Sequence, residues 1–166
     1  MSLFPDFFDF HGPYPVFRQF SGQDAIITYT ADEIVRVATA EGCPYSEIAV
    51  LYAMQRPDSV DAPLPDRLED ELAARGIMSK WASENHRSKR TYDITTNSVT
   101  ISTIHSAKGM DFSCVFLLGL DNLEPKGWTE EQINNLVYVG MTRARYQLVI
   151  PYIRKSPLIL KLQSCL

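Results

Sequence analysis

Residues 99–112 read VTISTIHSAKGMDF, and the question they raise is chemical. A β-branched run stops at Thr103 and His105, then continues through Lys108, Gly109 and Asp111. Polar side chains at a strand end can hold a ligand, and the glycine lets backbone approach it closely. The same residues also suit an ordinary strand-to-helix corner, with His105 a hydrogen-bonded polar residue. A second cluster lies in NLVYVGMTRARYQLVI, where Thr142, Arg143, Ala144 and Arg145 stand between a helix and a buried strand. An arginine held rigidly there, with a threonine beside it, can meet two phosphate oxygens at once. Basic residues at a helix end also complement its dipole and free carbonyls. A third candidate, VFLLGLD ending at Asp121, has the form of an apolar strand followed by a Mg²⁺-binding acid. Any buried strand before a turn aspartate produces that pattern. The phosphate loop that should accompany it, G-x-x-x-x-G-K-[ST], is absent: no glycine is followed directly by lysine.

The elements that must position these groups follow from periodicity. Residues 1–15, with Pro5, Gly12, Pro13 and Pro15, form an irregular lead-in. Val16 to Phe20 suits a short strand. From Asp24 to about Ala40, Ile27, Ala31, Ile34, Val35 and Ala38 recur at helical spacing, and Gly42 and Pro44 end that helix. EIAVLYA (47–53) has the continuous apolar character of a strand buried on both faces. A loop with Pro57, Pro63 and Pro65 leads to a helix on which Leu68 and Leu72 share a face and Gly76 is the stop. IMSKW suits a short strand, SENHRSKR (83–90) a basic loop, and VTISTI and SCVFLLGL (113–120) two strands. Asn122 to Gly127 reads as a loop. Thr129 and Gln132 have capping-box spacing and open a helix with Ile133, Leu136, Val137 and Gly140 on one face. YQLVIPY (146–152) is the last strand, with Pro151 as its stop. Strands and helices alternate and the strands are apolar, which predicts an α/β fold: a mostly parallel sheet covered by helices on both faces. In such sheets ligands sit beyond the carboxyl ends of the strands, where both the 99–112 stretch and the turn after EIAVLYA are expected.

The chain has 166 residues, the size of one domain, and can bury a core without staples. Its net charge of −4 argues against diffuse, charge-driven nucleic-acid binding, so any such contact is local. Cys43, Cys114 and Cys165 are odd in number and far apart, as expected of reduced thiols in a cytoplasmic protein. With His11, His86 and His105 they form no metal-ligand spacing, and no metal site is expected. No apolar stretch is long enough for a membrane span, and the N-terminus, with Asp6 and Asp9, is a poor signal peptide.

Taken together, the motifs are specific. TIHSAKGMDFSCVFLLGL resembles motif V of the UvrD/Rep-type superfamily 1 DNA helicases, usually T-x-H-x-x-K-G-L-E-F before an apolar strand. LVYVGMTRAR resembles their motif VI, Y-V-[AG]-x-T-R-A, and PYSEIAVLYA the segment before motif IVa. The order is the family's, and the resemblance covers roughly residues 12–152. It implies a RecA-like (P-loop NTPase-like) three-layer domain, the second of two that clamp ATP, which lacks its own phosphate loop. The divisions expected are a lead-in over 1–15, the RecA-like domain over 16–155 and a C-terminal tail over 156–166.

By the same resemblance, Arg143 is the arginine finger of an ATP-dependent DNA helicase or translocase. Gly109 and Asp111 stand beside the nucleotide, with Asp111 one methylene shorter than the family's glutamate. Thr103 and His105 face single-stranded DNA, where a hydroxyl and an imidazole can contact phosphate or sugar without reading sequence. Lys108 and Thr142 have orienting roles. ATP and Mg²⁺ are the implied cofactors, the Mg²⁺ held mainly by the N-terminal RecA-like domain of the parent chain. That domain and single-stranded DNA are the implied partners, and the isolated chain is expected to be inactive. The chain departs from the family pattern at Ala53, where arginine is usual, and at Asn134 and Asn135, which replace arginines. The family's large helical insertion before motif V is absent. A stand-alone, non-catalytic RecA-like module that binds a protein or nucleic acid is the alternative reading.

Overall fold

The computed structural model describes residues 12–53, 64–82, 97–124 and 127–166. Much of the lead-in, the Pro-rich loop with Pro57 and Pro63, the basic loop SENHRSKR, His11 and His86 lie outside the described residues. Among the described residues six strands form one sheet: β1 (Val16–Gln19), β2 (Ile48–Tyr52), β3 (Ser79–Ala82), β4 (Val99–Thr103), β5 (Phe112–Leu118) and β6 (Ala144–Tyr152). The sheet order is β1-β6-β5-β2-β4-β3 and every pairing is parallel. The helices are α1 (Gln23–Ala40), α2 (Leu64–Ala74), α3 (Glu130–Met141) and α4 (Pro157–Cys165).

The continuous apolar strands are explained by two cores. Side chains alternate across a strand, so a strand covered on both faces needs apolar residues at every position. In β2, Ala49 and Leu51 enter one core, and Ile48, Val50 and Tyr52 enter the other. In β5, Val115 and Leu117 separate in the same way from Cys114, Phe116 and Leu118. The first core is closed by α3 and α4 through Leu136, Val137, Met141, Ile159 and Leu162. The second is closed by α1 and α2 through Ile27, Ala31, Ile34, Leu68 and Leu72. Ile26 and Val37 of α1 are buried with them, while Val35 and Ala38 are only partly covered. The result is the expected RecA-like sandwich of helix, sheet and helix.

Local signals mark the element ends. Gly76, at φ +72°, ends the turn after α2, a conformation that costs a glycine little. At the start of α3 the capping box is complete. Thr129 Oγ1 accepts from the Gln132 N–H at 3.2 Å, and Gln132 Oε1 accepts from the Thr129 N–H at 2.9 Å.

Three features differ from the sequence expectation. Pro151 lies inside β6 instead of stopping it, paired with Arg18 of β1. The β5 ladder ends at Phe116 and Val149, and the Tyr152 carbonyl faces β1, accepting from the Phe20 N–H at 2.8 Å. Backbone groups of successive residues face opposite neighbours, so the N–H that Pro151 lacks would point past the end of the β5 ladder. Second, residues 156–166 are no appendage. Ser156 caps α4, Pro157 occupies its first turn, and Ile159 and Leu162 are fully buried in the first core. Third, Asp121 follows Gly119, which has φ +80°, in a short 3₁₀ turn at Leu120–Asn122. It is buried, and its Oδ2 accepts from the backbone N–H groups of Ile153 and Arg154 at 2.8 and 3.0 Å. The acid that has the outline of a Mg²⁺ ligand is thus the turn aspartate of the plainer reading, and it ties the chain leaving β6 to the turn after β5.

The thiols of Cys43, Cys114 and Cys165 are free. Burial pushes the Cys114 thiol up to about 12, which keeps it protonated and unreactive at neutral pH. Among the described residues no helix is long and apolar enough to cross a membrane.

Candidate nucleotide and nucleic-acid site

The stretch that opens with Thr103 crosses the sheet from one edge to the other. Thr103 pairs with Tyr52, which pairs with Leu118, so all three stand at the carboxyl edge. Phe112 pairs with Ala144, the first residue of β6, at the amino edge. Residues 104–111 connect these two levels. They cover about 20 Å at about 3.3 Å per strand residue. Buried Ile104 and Ala107 pin the segment to the first core, while His105, Lys108, Gly109 and Asp111 remain exposed. The expectation that the 99–112 stretch lies beyond the carboxyl ends therefore fits its beginning, at Thr103 and His105, and not its end at Asp111. Asp111 and Arg143 meet at the amino edge, because α3 runs back across the sheet before β6 begins.

Short-range hydrogen bonds stiffen the crossing. The Ala107 N–H donates to the Thr103 carbonyl at 3.1 Å, Lys108 to His105 at 3.2 Å and Met110 to Ala107 at 3.0 Å. Thr103 Oγ1 accepts from the Ser106 N–H at 3.1 Å and lies 3.0 Å from Ser106 Oγ. Its hydroxyl thus fixes the start of the turn, a task that Ser106 shares and that was not visible in the sequence. Gly109 has φ +85°, and a Cβ there would meet nothing within 4 Å. Its backbone angle, and no lack of space, is what calls for glycine.

Arg143 joins the two motifs. Its Nε donates to the Val139 carbonyl at 3.2 Å, Nη1 to the Met110 carbonyl at 3.2 Å and Nη2 to Thr142 Oγ1 at 3.3 Å. Nη1 also lies 3.6 Å from Asp111 Oδ1, with the two side chains 18% and 56% exposed. That ion pair is half in solvent and contributes at most about 1 kcal/mol. A guanidinium has five N–H donors, of which these bonds use three. Two remain for an anion. The backbone repeats the link, since the Phe112 N–H donates to the Arg143 carbonyl at 2.8 Å. Arg145 is exposed and reaches the Asp111 carbonyl at 3.4 Å.

Close packing under the site depends on Gly140. A Cβ there would stand 3.0 Å from Leu117 Cδ1 and 3.1 Å from Ile104 Cδ1. Alanine is tolerable, because side-chain tips can yield a few tenths of an ångström and helix propensity improves. Gly140→Val overfills the contact and is expected to cost about 1–3 kcal/mol in urea unfolding, against less than about 1 kcal/mol for Gly140→Ala. A valine variant as stable as the wild type would show that the helix does not sit this close.

On the strand side, His105 meets Trp128 edge-on, with ring centroids 6.2 Å apart and planes at 67°. Trp128 immediately precedes the capping box of α3, and nothing in its sequence setting marked it. A groove of about 340 Å³ opens beside the two rings, with Leu136 and Val139 at its base. Asn134, on the same helix, is buried and its Nδ2 lacks a partner among the described residues, whereas Asn135 is exposed.

A parallel, doubly covered sheet without a phosphate loop, bearing an arginine at the end of α3 against the 104–111 crossing, defines a second-type RecA-like domain. The chain belongs to the UvrD-like helicase C-terminal domain family, whose profile matches residues 68–155. It is 39% identical over 88 residues to the ATP-dependent DNA helicase Rep of Buchnera aphidicola, a match covering 49% of this chain and 12% of that protein. It is 30% identical over 108 residues to the ATP-dependent DNA helicase UvrD2 of Mycobacterium tuberculosis H37Rv, covering 57% and 15%. Against DNA helicase II of Salmonella typhimurium LT2 the figures are 26% over 152 residues, covering 78% and 21%. The chain thus spans only about an eighth to a fifth of these curated relatives. The fold is shared with a solved C-terminal domain of a possible DNA helicase from Lactobacillus plantarum WCFS1. The TM-score is 0.58 at 19% identity, covering 90% of this chain and 80% of that one.

Proposed function

We propose that this chain is the second RecA-like domain of an ATP-dependent DNA helicase or translocase, supplying the arginine finger and part of the single-strand track. The observation that carries the reading is the junction of Arg143 with Met110 and Asp111. It stands at the far end of the segment that starts at Thr103 and His105. One stiffened crossing links a candidate phosphate contact to a candidate strand contact.

ATP fits the amino-edge residues. Arg143 keeps two N–H donors, Gly109 is exposed, and the Asp111 carboxylate is half in solvent where it can accept a ribose hydroxyl directly or through water. When bound, the nucleotide supplies the phosphoryl group whose developing charge Arg143 offsets; Thr142 holds the guanidinium in plane. The described residues offer no Mg²⁺ site. Among the described residues no three His, Cys, Asp or Glu side chains cluster, and Asp121 is committed to two backbone N–H groups. The cation's ligands belong on the phosphate-loop domain, in keeping with the missing G-x-x-x-x-G-K-[ST].

The test is ATP turnover with and without single-stranded DNA. The isolated chain is expected to hydrolyse essentially none, and a protein that places a phosphate-loop domain ahead of it is expected to show DNA-stimulated turnover. Appreciable turnover by the pure chain contradicts the assignment of half a site. A gene that encodes this chain alone would favour the non-catalytic module.

A further inference from the structure

We infer that the groove beside Trp128 receives one unstacked base of the single strand, with the Trp128 ring as its stacking surface. The inference rests on the strand-track reading above and adds a residue and a mode of contact to it. The edge-on approach of His105 at 67° means the two rings do not stack on each other, so neither uses the other as a parallel partner. A planar base can. Such stacking tolerates any sequence, because every base presents a π-face.

The rest of the groove suits the same ligand. Its base is apolar, from Leu136 and Val139. Gln132 lines the groove and spends its Oε1 on the capping box, which leaves its amide N–H₂ for another partner, and the exposed Asn135 side chain has no hydrogen-bond partner among the described residues. Two amides can pair with base edges, as recognition of splayed-out bases requires. Among the described residues that line the groove Lys108 is a cation and none is a carboxylate, although the whole chain carries −4. Lys108 can meet a phosphate of the strand from the groove lining, with Glu130 and Glu131 outside that lining at the start of α3.

The test uses the isolated chain with fluorescently labelled (dT)₁₂ and an abasic deoxyribose-phosphate strand of the same length, followed by anisotropy at low salt. Stacking on an aromatic contributes about 1–3 kcal/mol per base, so Trp128→Leu is expected to weaken (dT)₁₂ binding roughly 5- to 150-fold. Binding of the abasic strand is expected to be the same in both proteins, and Trp128→Phe is expected to retain most of the (dT)₁₂ affinity. In a Trp81→Phe background, (dT)₁₂ is expected to quench the remaining tryptophan fluorescence. An unchanged affinity of Trp128→Leu for (dT)₁₂, or equal wild-type affinity for the two strands, overturns the stacking surface and leaves the strand track standing. Failure of the wild-type chain to bind either strand overturns both.

Discussion

Arg143→Ala, in a protein that carries both RecA-like domains, is expected to lower ATP turnover by at least about a thousandfold while single-strand affinity changes little. Arginine fingers act on charge that develops in the transition state, which is why the loss falls on kcat. Arg143→Lys is expected to fail almost as badly. The side chain is oriented by three directional bonds, to Val139, Met110 and Thr142, and an ammonium cannot reproduce a planar fork that also points outward. The bond to Met110 holds the two motifs together, so each variant needs an unfolding curve beside its kinetics. If turnover and strand binding fall by the same factor, or stability falls in step with activity, Arg143 is a brace between motifs and the finger assignment is lost.

The second large effect is expected at Asp121, where it is one of stability. Asp121→Ala leaves two N–H groups, of Ile153 and Arg154, without their shared carboxylate at a part-buried junction. Hydrogen bonds to a charged acceptor contribute about 1.5–3 kcal/mol each and are not fully additive, so a loss of about 2–4 kcal/mol is expected. For a domain of this size that lowers Tm by about 5–15 °C. Asp121→Asn should be much milder, since both bonds converge on one oxygen that an amide also provides. Equal losses for the alanine and asparagine variants would point to a role for the charge itself and would reopen the acid's assignment.

The second prediction also shows where sequence reasoning stops. Asp121 after VFLLGL has the outline of a metal-binding acid, and only the chain leaving β6 discloses its use. Trp128 looks like a loop residue until the crossing segment brings His105 beside it. Pro151 reads as a strand stop, since a missing N–H usually is one, and the register shows that it points past a ladder already ended. In each case the deciding partner is distant in sequence or is a backbone group, and residue types do not encode either.

What the sequence determined by itself was local or periodic. Apolar strands alternating with amphipathic helices pointed to a parallel sheet covered on both faces, because a strand as apolar as β2, buried at every position, needs cover on each side. The Thr129–Gln132 spacing dictated the start of α3, since the capping box is closed within four residues. The joint order of the motif V and motif VI residues carried the family. Tertiary structure alone decided where those residues stand. It sent residues 104–111 across the sheet, set Arg143 against the Met110 carbonyl at the amino edge, and left Thr103 and His105 toward the other. Strand pairing and the return path of α3 impose that separation, and both are contacts between segments that no local pattern specifies.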